Sequence, residues 1–245
     1  MTVSLRLAPA LAGACTLAVA ASAASFKLYP VRIVLSPDQP VQTMTIHNSG
    51  TEPARAQLRV FAWSQVDGND VFTETRDILA NPPIFELPPG HDQIARFGLR
   101  TTPGTTEKSY RVFVQEVPTD RPRKAGEIRA LLRISVPIFM RSPGAVGKLE
   151  WRLWPSGGRQ VALAIRNLGG AHVQLNRIEL RRNGRPIAAK DMSVYLLPGS
   201  ARQLALDAAT ALPAGQTVEL KAETDQGELS TSIVSEAPPR ETGRR

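Results

Sequence analysis

Residues that could do bond chemistry are few in this 245-residue chain, and they lie apart. His47, His91 and His172 show no metal-ligand spacing and sit in or beside turn-forming residues. Cys15 is the single cysteine, which excludes a disulfide within the chain and a Cys-rich metal site. No G-x-S-x-G motif is present, so a Ser/His/Asp hydrolase has no context. Paired carboxylates can hydrolyse glycosides. Here the pair Asp67 and Asp70 belongs to Asp67-Gly68-Asn69-Asp70, a sequence suited to a hairpin turn. A calcium loop at that place would lack oxygen ligands. The residues therefore read as those of a protein that is not an enzyme and uses no cofactor or metal.

Binding is the remaining chemistry, and charge alone does not define it. Thirty Lys and Arg against 22 Asp and Glu give a net +8. The cations are spread through strands and turns without interleaved aromatics, so no nucleic-acid stripe emerges. Trp63, Trp151 and Trp154 leave an exported two-domain adhesin or carbohydrate-binding protein as the alternative reading, although Trp63 lies in an apolar run and reads as core.

The spacing that stands out is Ile128 to Arg141. Ile128, Ala130, Leu132, Ile134, Val136 and Ile138 are apolar at every second position, one face of a strand. Fully extended, the run spans on the order of 40 Å, well beyond a usual strand. Pro137 cannot donate a ladder hydrogen bond and belongs at an edge or bulge. A long apolar edge is an aggregation hazard, unless a partner that lacks a strand pairs with it.

The elements that would position this run are strands throughout. Apolar residues make up 42% and charged residues 21%, an ordinary globular balance, and aromatics are only 5%, so the core is aliphatic. Short alternating runs, such as Gln57 to Phe61 and Arg111 to Val114, are separated by Gly, Pro and Asn. The plan repeats. Ile46-His47-Asn48-Ser49-Gly50 precedes an alternating run, and Ile165-Arg166-Asn167-Leu168-Gly169 does the same. Leu87-Pro88-Pro89-Gly90 and Leu197-Pro198-Gly199 follow at the corresponding places. The fold class is all-β, two related β-sandwiches of about seven strands each.

Residues 1–24 read as a signal peptide, with Arg6, an apolar run from Leu7 to Ala20, and cleavage near Ala23 or Ala24. Lipidation at Cys15 lacks the usual bulky aliphatic at Ala12. No later run is long enough to span a membrane, so stable membrane insertion is not expected. The domains are then 25–142 and 143–235, with a flexible tail over 236–245.

Six segments, taken in order, resemble the periplasmic pilus-assembly chaperones of the chaperone–usher pathway, the PapD-like family, in its spore-coat-U-like or archaic branch. They are Tyr29-Pro30-Val31-Arg32, Ile46 to Gly50, Asn81-Pro82-Pro83, Leu87 to Gly90 with Arg96 beyond, Ser109 to Pro118, and Val136 to Arg141. The resemblance implies two immunoglobulin-like domains in an L shape and a periplasmic location. It implies two partners: pilus or fimbrial subunits, held one to one, and an outer-membrane usher. Subunits of this pathway are immunoglobulin-like folds missing a strand, and the chaperone donates its own. On this chain the donor residues would be Ile128, Ala130, Leu132 and Ile134, whose burial could contribute on the order of 5–10 kcal/mol before association costs. The family anchors the subunit's C-terminal carboxylate with cations between the domains. Arg32, at the end of the first strand, matches the family's cleft arginine. A second anchor, commonly a lysine, falls at Pro137, which cannot serve, and Arg111 of the Ser109-Tyr110-Arg111 motif is the substitute. Glu116 would orient or neutralise a cleft cation. Pro82-Pro83 forms a turn whose isomer one sequence leaves open. The loop 119–127, with Arg121, Arg123 and Lys124, reads as a solubilising cluster.

Overall fold

The computed structural model describes residues 25–118 and 130–239, which form strands and turns, with no helix among them. The apolar alternation sorts these strands into four sheets. In the first half, β1 (Phe26–Tyr29), β3 (Val41–Asn48), β8 (Asp92–Leu99) and β6 (Ile78–Asn81) pair in the order β1-β3-β8-β6. Facing them are β2 (Ile33–Leu35), β10 (Arg133–Met140), β9 (Lys108–Val117), β4 (Ala54–Val66) and β5 (Asn69–Glu74), in the order β2-β10-β9-β4-β5. The short β7 (Ile84–Leu87) pairs with the start of β4. The second half stacks β11 (Leu149–Gly157), β12 (Gln160–Asn167) and β15 (Ala201–Asp207) against β14 (Arg185–Leu196), β13 (Val173–Arg182), β16 (Thr217–Thr224) and β17 (Gly227–Val234). These are two immunoglobulin-like sandwiches.

Each sandwich closes over an aliphatic core. Met44, Ile46, Ala95 and Phe97 of one sheet pack with Val112, Val114, Ile138 and Met140 of the other. Leu163, Ile165, Ile178, Leu180 and Leu220 do the same in the second half. Burying one such aliphatic side chain is worth about 1.5–3 kcal/mol, so each sandwich holds itself together.

The repeat seen in the sequence is one device built twice. Asn48 and Asn167 are fully buried. The Asn48 amide donates to Glu52 O and Leu87 O, both at 2.9 Å, and its carbonyl accepts Gly50 N–H at 3.0 Å. The Asn167 amide donates to Ala171 O at 2.8 Å and Leu196 O at 2.9 Å, and its carbonyl accepts Gly169 N–H at 2.9 Å. The backbone follows: Gly90 N–H donates to Asn48 O at 2.8 Å, and Gly199 N–H to Asn167 O at 2.9 Å. Each asparagine ties its own turn to the Pro-Gly turn across the sandwich. A buried carbonyl must find such a donor.

Three local readings change. The first strand is broken. β1 ends at Tyr29, Tyr29–Pro30 is cis, and the chain crosses to the opposite sheet as β2. Arg32 therefore sits in a crossover between sheets, not at the end of a strand. The long run after Ile128 is a shorter strand: β10 begins at Arg133, and Ala130 to Leu132 lead into it without strand pairing. Its ladder to β9 reaches Arg133↔Gln115 and is prolonged by one bond, Glu116 N–H to Leu132 O at 2.8 Å. Ile128 and the loop 119–127 lie outside the described residues. Glu236, assigned to the tail, is pinned: its N–H donates to Leu153 O at 2.7 Å and its carboxylate meets Arg152 at 2.6 Å. Asn81–Pro82 is cis, and Asp67 (φ 49°) with Gly68 (φ 76°) makes the expected β4–β5 hairpin. No helix among the described residues is long and apolar enough to cross a membrane.

Candidate functional site

Strand parity decides what faces the junction of the two halves. On β4, Leu58, Val60 and Ala62 join the core of the first sandwich, which turns Phe61 and Trp63 to the other face of the sheet. On β9 the same rule turns Tyr110, Val112 and Val114 inward and Arg111 outward. On β10 it turns Val136 and Ile138 inward and Phe139 outward. Trp63 is buried, as expected, but not in the first core: it packs with Phe139, Leu197 and Tyr195 between the sandwiches. The parity of Leu58, Val60 and Ala62 was the signal for this.

Two arginines meet at that junction. Arg32 Nη1 donates to Asp225 Oδ2 at 2.8 Å, and its Nη2 donates to Gln174 Oε1 and to Tyr195 Oη at 3.2 Å. All three partners belong to the second sandwich. Burial opposes its charge, but Tyr195 and Asp225 outweigh this and raise its pKa. The guanidinium lies 5.7 Å from the Tyr195 ring centroid and keeps unused N–H groups.

The Arg111 guanidinium lies 5.4 Å from the centroid of the same ring and 3.9 Å over that of Trp63. Stacking of this kind suits a planar cation. Its Nε is buried and has no hydrogen-bond partner among the described residues. Burial lowers the Arg111 pKa, with Asp70 and Tyr195 opposing. An arginine remains charged even so. A buried cationic donor without an acceptor leaves part of its hydrogen-bonding capacity unused.

β10 leads to this junction with one edge open. It pairs with β9 along its whole length, but β2 joins its other side only from Ile138↔Ile33 onward. Among the described residues, Arg133 to Pro137 present an unpaired edge. Pro137 lies directly opposite Arg111 in the ladder. Of the expected donor residues, Ala130 is exposed, and Leu132 and Ile134 are half-buried at the rim of the first core. The apolar face of the donor run is thus continuous with the core face of its own sandwich.

Glu116 does not reach the junction. By parity with Tyr110, Val112 and Val114 it points into the first sandwich, where it is buried and accepts Leu132 N–H at 3.3 Å. It steadies the entry to β10 rather than a cleft cation.

The sequence does not mark the other residues of the junction as members of a site. His172 stacks on Phe139, with centroids 3.5 Å apart and rings 8° from parallel, and its Nδ1 lies 2.6 Å from Glu107 Oε1. Glu107 N–H donates to Gly170 O at 2.8 Å, and Gln65 bridges to Tyr195 O at 2.9 Å and Leu197 N at 3.1 Å. These contacts join residues distant in sequence, and no local pattern announces them.

This arrangement matches a known family. The model of the pili and flagellar-assembly chaperone PapD N-terminal domain matches residues 25–146, and that of the pili assembly chaperone PapD C-terminal domain matches residues 144–233. The chain belongs to this family of pilus-assembly chaperones. A chain of the CsuC–CsuE chaperone–tip adhesion subunit pre-assembly complex, from the archaic chaperone–usher Csu pili of Acinetobacter baumannii, is 21% identical with a TM-score of 0.62, covering 88% of this chain and 100% of that one. The YadV chaperone is 17% identical with a TM-score of 0.59, covering 85% and 98%. A chain of the Salmonella enterica SafA pilin–SafB chaperone complex is 19% identical with a TM-score of 0.57, covering 86% and 96%. At these identities the likeness is one of fold. No curated protein matches the chain in sequence.

Proposed function

We propose that this pilus-assembly chaperone holds a subunit by adding the open edge of β10 to the subunit's incomplete sheet, with the subunit's C-terminal carboxylate seated at Arg111 and Arg32. The observation that carries the reading is the continuity of the two features. Among the described residues, the edge from Arg133 to Pro137 is unpaired and runs up to Arg111, whose buried Nε has no acceptor. Main-chain bonds along the edge supply affinity, and Leu132, Ile134 and the residues before them supply apolar contacts. The carboxylate fixes register, since guanidinium groups grip it with directed, charge-assisted bonds. Of the two cations, Arg111 is the readier anchor. Arg32 already serves three partners and would offer only its remaining N–H groups.

The same reading places the mature chain, from about residue 25, in the periplasm after loss of the signal peptide. It takes 25–142 and 143–235 as the working domains and passes its subunit to an outer-membrane usher. Periplasmic pull-down of wild type, Arg32→Ala, Arg111→Ala and Leu132→Arg tests it, with folding of each checked by circular dichroism. Wild type recovers pilus subunits, and Arg111→Ala and Leu132→Arg lose them. Equal recovery by all four folded proteins rejects the binding mode.

A further inference from the structure

We infer that His172, acting through Asp225, is a positioning residue for Arg32, and that its protonation makes the grip of the inter-domain groove on a carboxylate depend on pH. The inference rests on the anchor reading above. His172 precedes β13 and its side chain is only 9% exposed. Glu107 Oε1, from the first sandwich, accepts both the His172 backbone N–H at 3.1 Å and the contact from Nδ1 at 2.6 Å. On the other side of the ring, Nε2 lies 3.4 Å from Asp225 Oδ2, an ionic contact too poorly aligned to count as a hydrogen bond. Asp225, in the turn after β16, accepts Gln174 N–H on Oδ1 at 2.8 Å and Arg32 Nη1 on Oδ2 at 2.8 Å. Charges thus alternate along Glu107, His172, Asp225 and Arg32, a line that leaves the first sandwich and returns to it.

The ring is faced by Glu107 from the segment before β9 and by Asp225 from the β16–β17 turn. Phe139 of β10 stacks on it, Tyr195 of β14 lies 5.8 Å away, and Arg32 stands behind Asp225. A neutral imidazole has one N–H and would turn a lone pair toward one of two carboxylates, whereas the imidazolium offers a proton to each. Burial works against the cation, but Asp225 and Glu107 outweigh it and raise the His172 pKa. While His172 is charged, Asp225 shares its negative charge between two cations. Once His172 loses its proton, Arg32 alone neutralises Asp225 and has less field to offer an incoming carboxylate. Arginines do not titrate in this range, so a groove of arginines alone would show no such dependence.

The test follows the nitrogen-15-labelled mature chain by NMR from about pH 5.5 to about pH 9, around the ordinary imidazole pKa. The His172 ring nitrogens and the Arg32 and Arg111 side-chain N–H signals are read together. The probe is an acetylated dipeptide with a free α-carboxylate, with its C-terminal amide as control. The expected result is that His172 titrates above the ordinary imidazole value, Arg32 shifts with the same midpoint, and carboxylate affinity falls on the order of fivefold through that midpoint. His172→Gln makes affinity flat with pH, and Glu107→Gln moves the midpoint down. Arg32 signals and carboxylate affinity that stay constant while His172 titrates overturn the inference, as does a His172 already neutral at the lowest pH. If Arg32 follows His172 but the carboxylate probe acts no differently from its amide, the positioning role stands and the anchor reading fails.

Discussion

Pro137 of β10 and Arg111 of β9 are directly opposed across the antiparallel ladder, at the last position before β2 closes the open edge of β10. Opposed residues on a ladder share a face and lie within side-chain reach of one place. A proline can give that place neither charge nor amide hydrogen. The neighbouring strand gives it a guanidinium, laid over Trp63.

Arg111→Ala should therefore weaken subunit binding by about 2–4 kcal/mol, or roughly 30- to 1,000-fold, without loss of fold. Arg111→Lys should recover little, because an ammonium neither stacks flat on Trp63 nor grips a carboxylate with two bonds. Adding Pro137→Lys to Arg111→Ala should restore part of the affinity, since it returns a cation to the opposed position. Co-purification yields with a fixed subunit, followed by competition binding, measure all three.

Asn48→Ala and Asn167→Ala should each destabilise the sandwich that holds it by about 2–4 kcal/mol, because one buried and one half-buried carbonyl lose their donor. Urea unfolding followed by tryptophan fluorescence checks this. The variants should shift different parts of the transition, since Trp63 reports on the junction and Trp151 and Trp154 on the second sandwich.

Those asparagines show what was legible in the sequence. Each acts within its own turn and a Pro-Gly turn, both short patterns with fixed residue types. The apolar alternation on β4 and β9 was equally local. The line from Glu107 to Arg32 was not, because its four members come from separate elements and meet only when two sandwiches dock. Strand parity carries direction as well. Val60 and Ala62 fix the direction of Trp63, and Val112 and Val114 fix that of Glu116. The break after Tyr29 is hidden in the sequence because Val31 and Arg32 continue a strand-like pattern through a change of sheet.

Gly169→Ala should loosen the connection between the sandwiches. A β-carbon there would run into Val146 O and Lys148 N, backbone atoms that no rotamer change can move aside. The linker is fixed at that point by Leu168 N–H to Lys148 O at 2.7 Å and Gly170 N–H to Val146 O at 2.9 Å. Faster amide exchange over residues 145–148 and easier proteolysis near Ser142-Pro143-Gly144 are the expected outcomes, with both cores still protected.

Stability should depend on pH at the junction from both ends. The His172 pKa is raised on folding, so its contribution is complete below the ordinary imidazole pKa of about 6.5 and is lost as pH rises through the higher folded value. Asp225 behaves in the opposite sense. Burial opposes its ionisation, but His172, the Gln174 amide and Arg32 hold its pKa down to about 2, so its contribution is present above the ordinary carboxylate range and lost as pH falls through that value. Thermal midpoints across pH should show both losses in wild type, and Asp225→Asn should flatten the acid limb.

The open edge of β10 is the centre of the account, and hydrogen exchange reads it directly. Amide exchange of residues 133–136 is compared between the free chaperone and a purified one-to-one complex with a pilus subunit that lacks its own last strand. The account predicts that outward-facing amides of this segment exchange readily in the free protein and become strongly protected in the complex. A stable complex in which they exchange as fast as before would contradict strand addition at this edge.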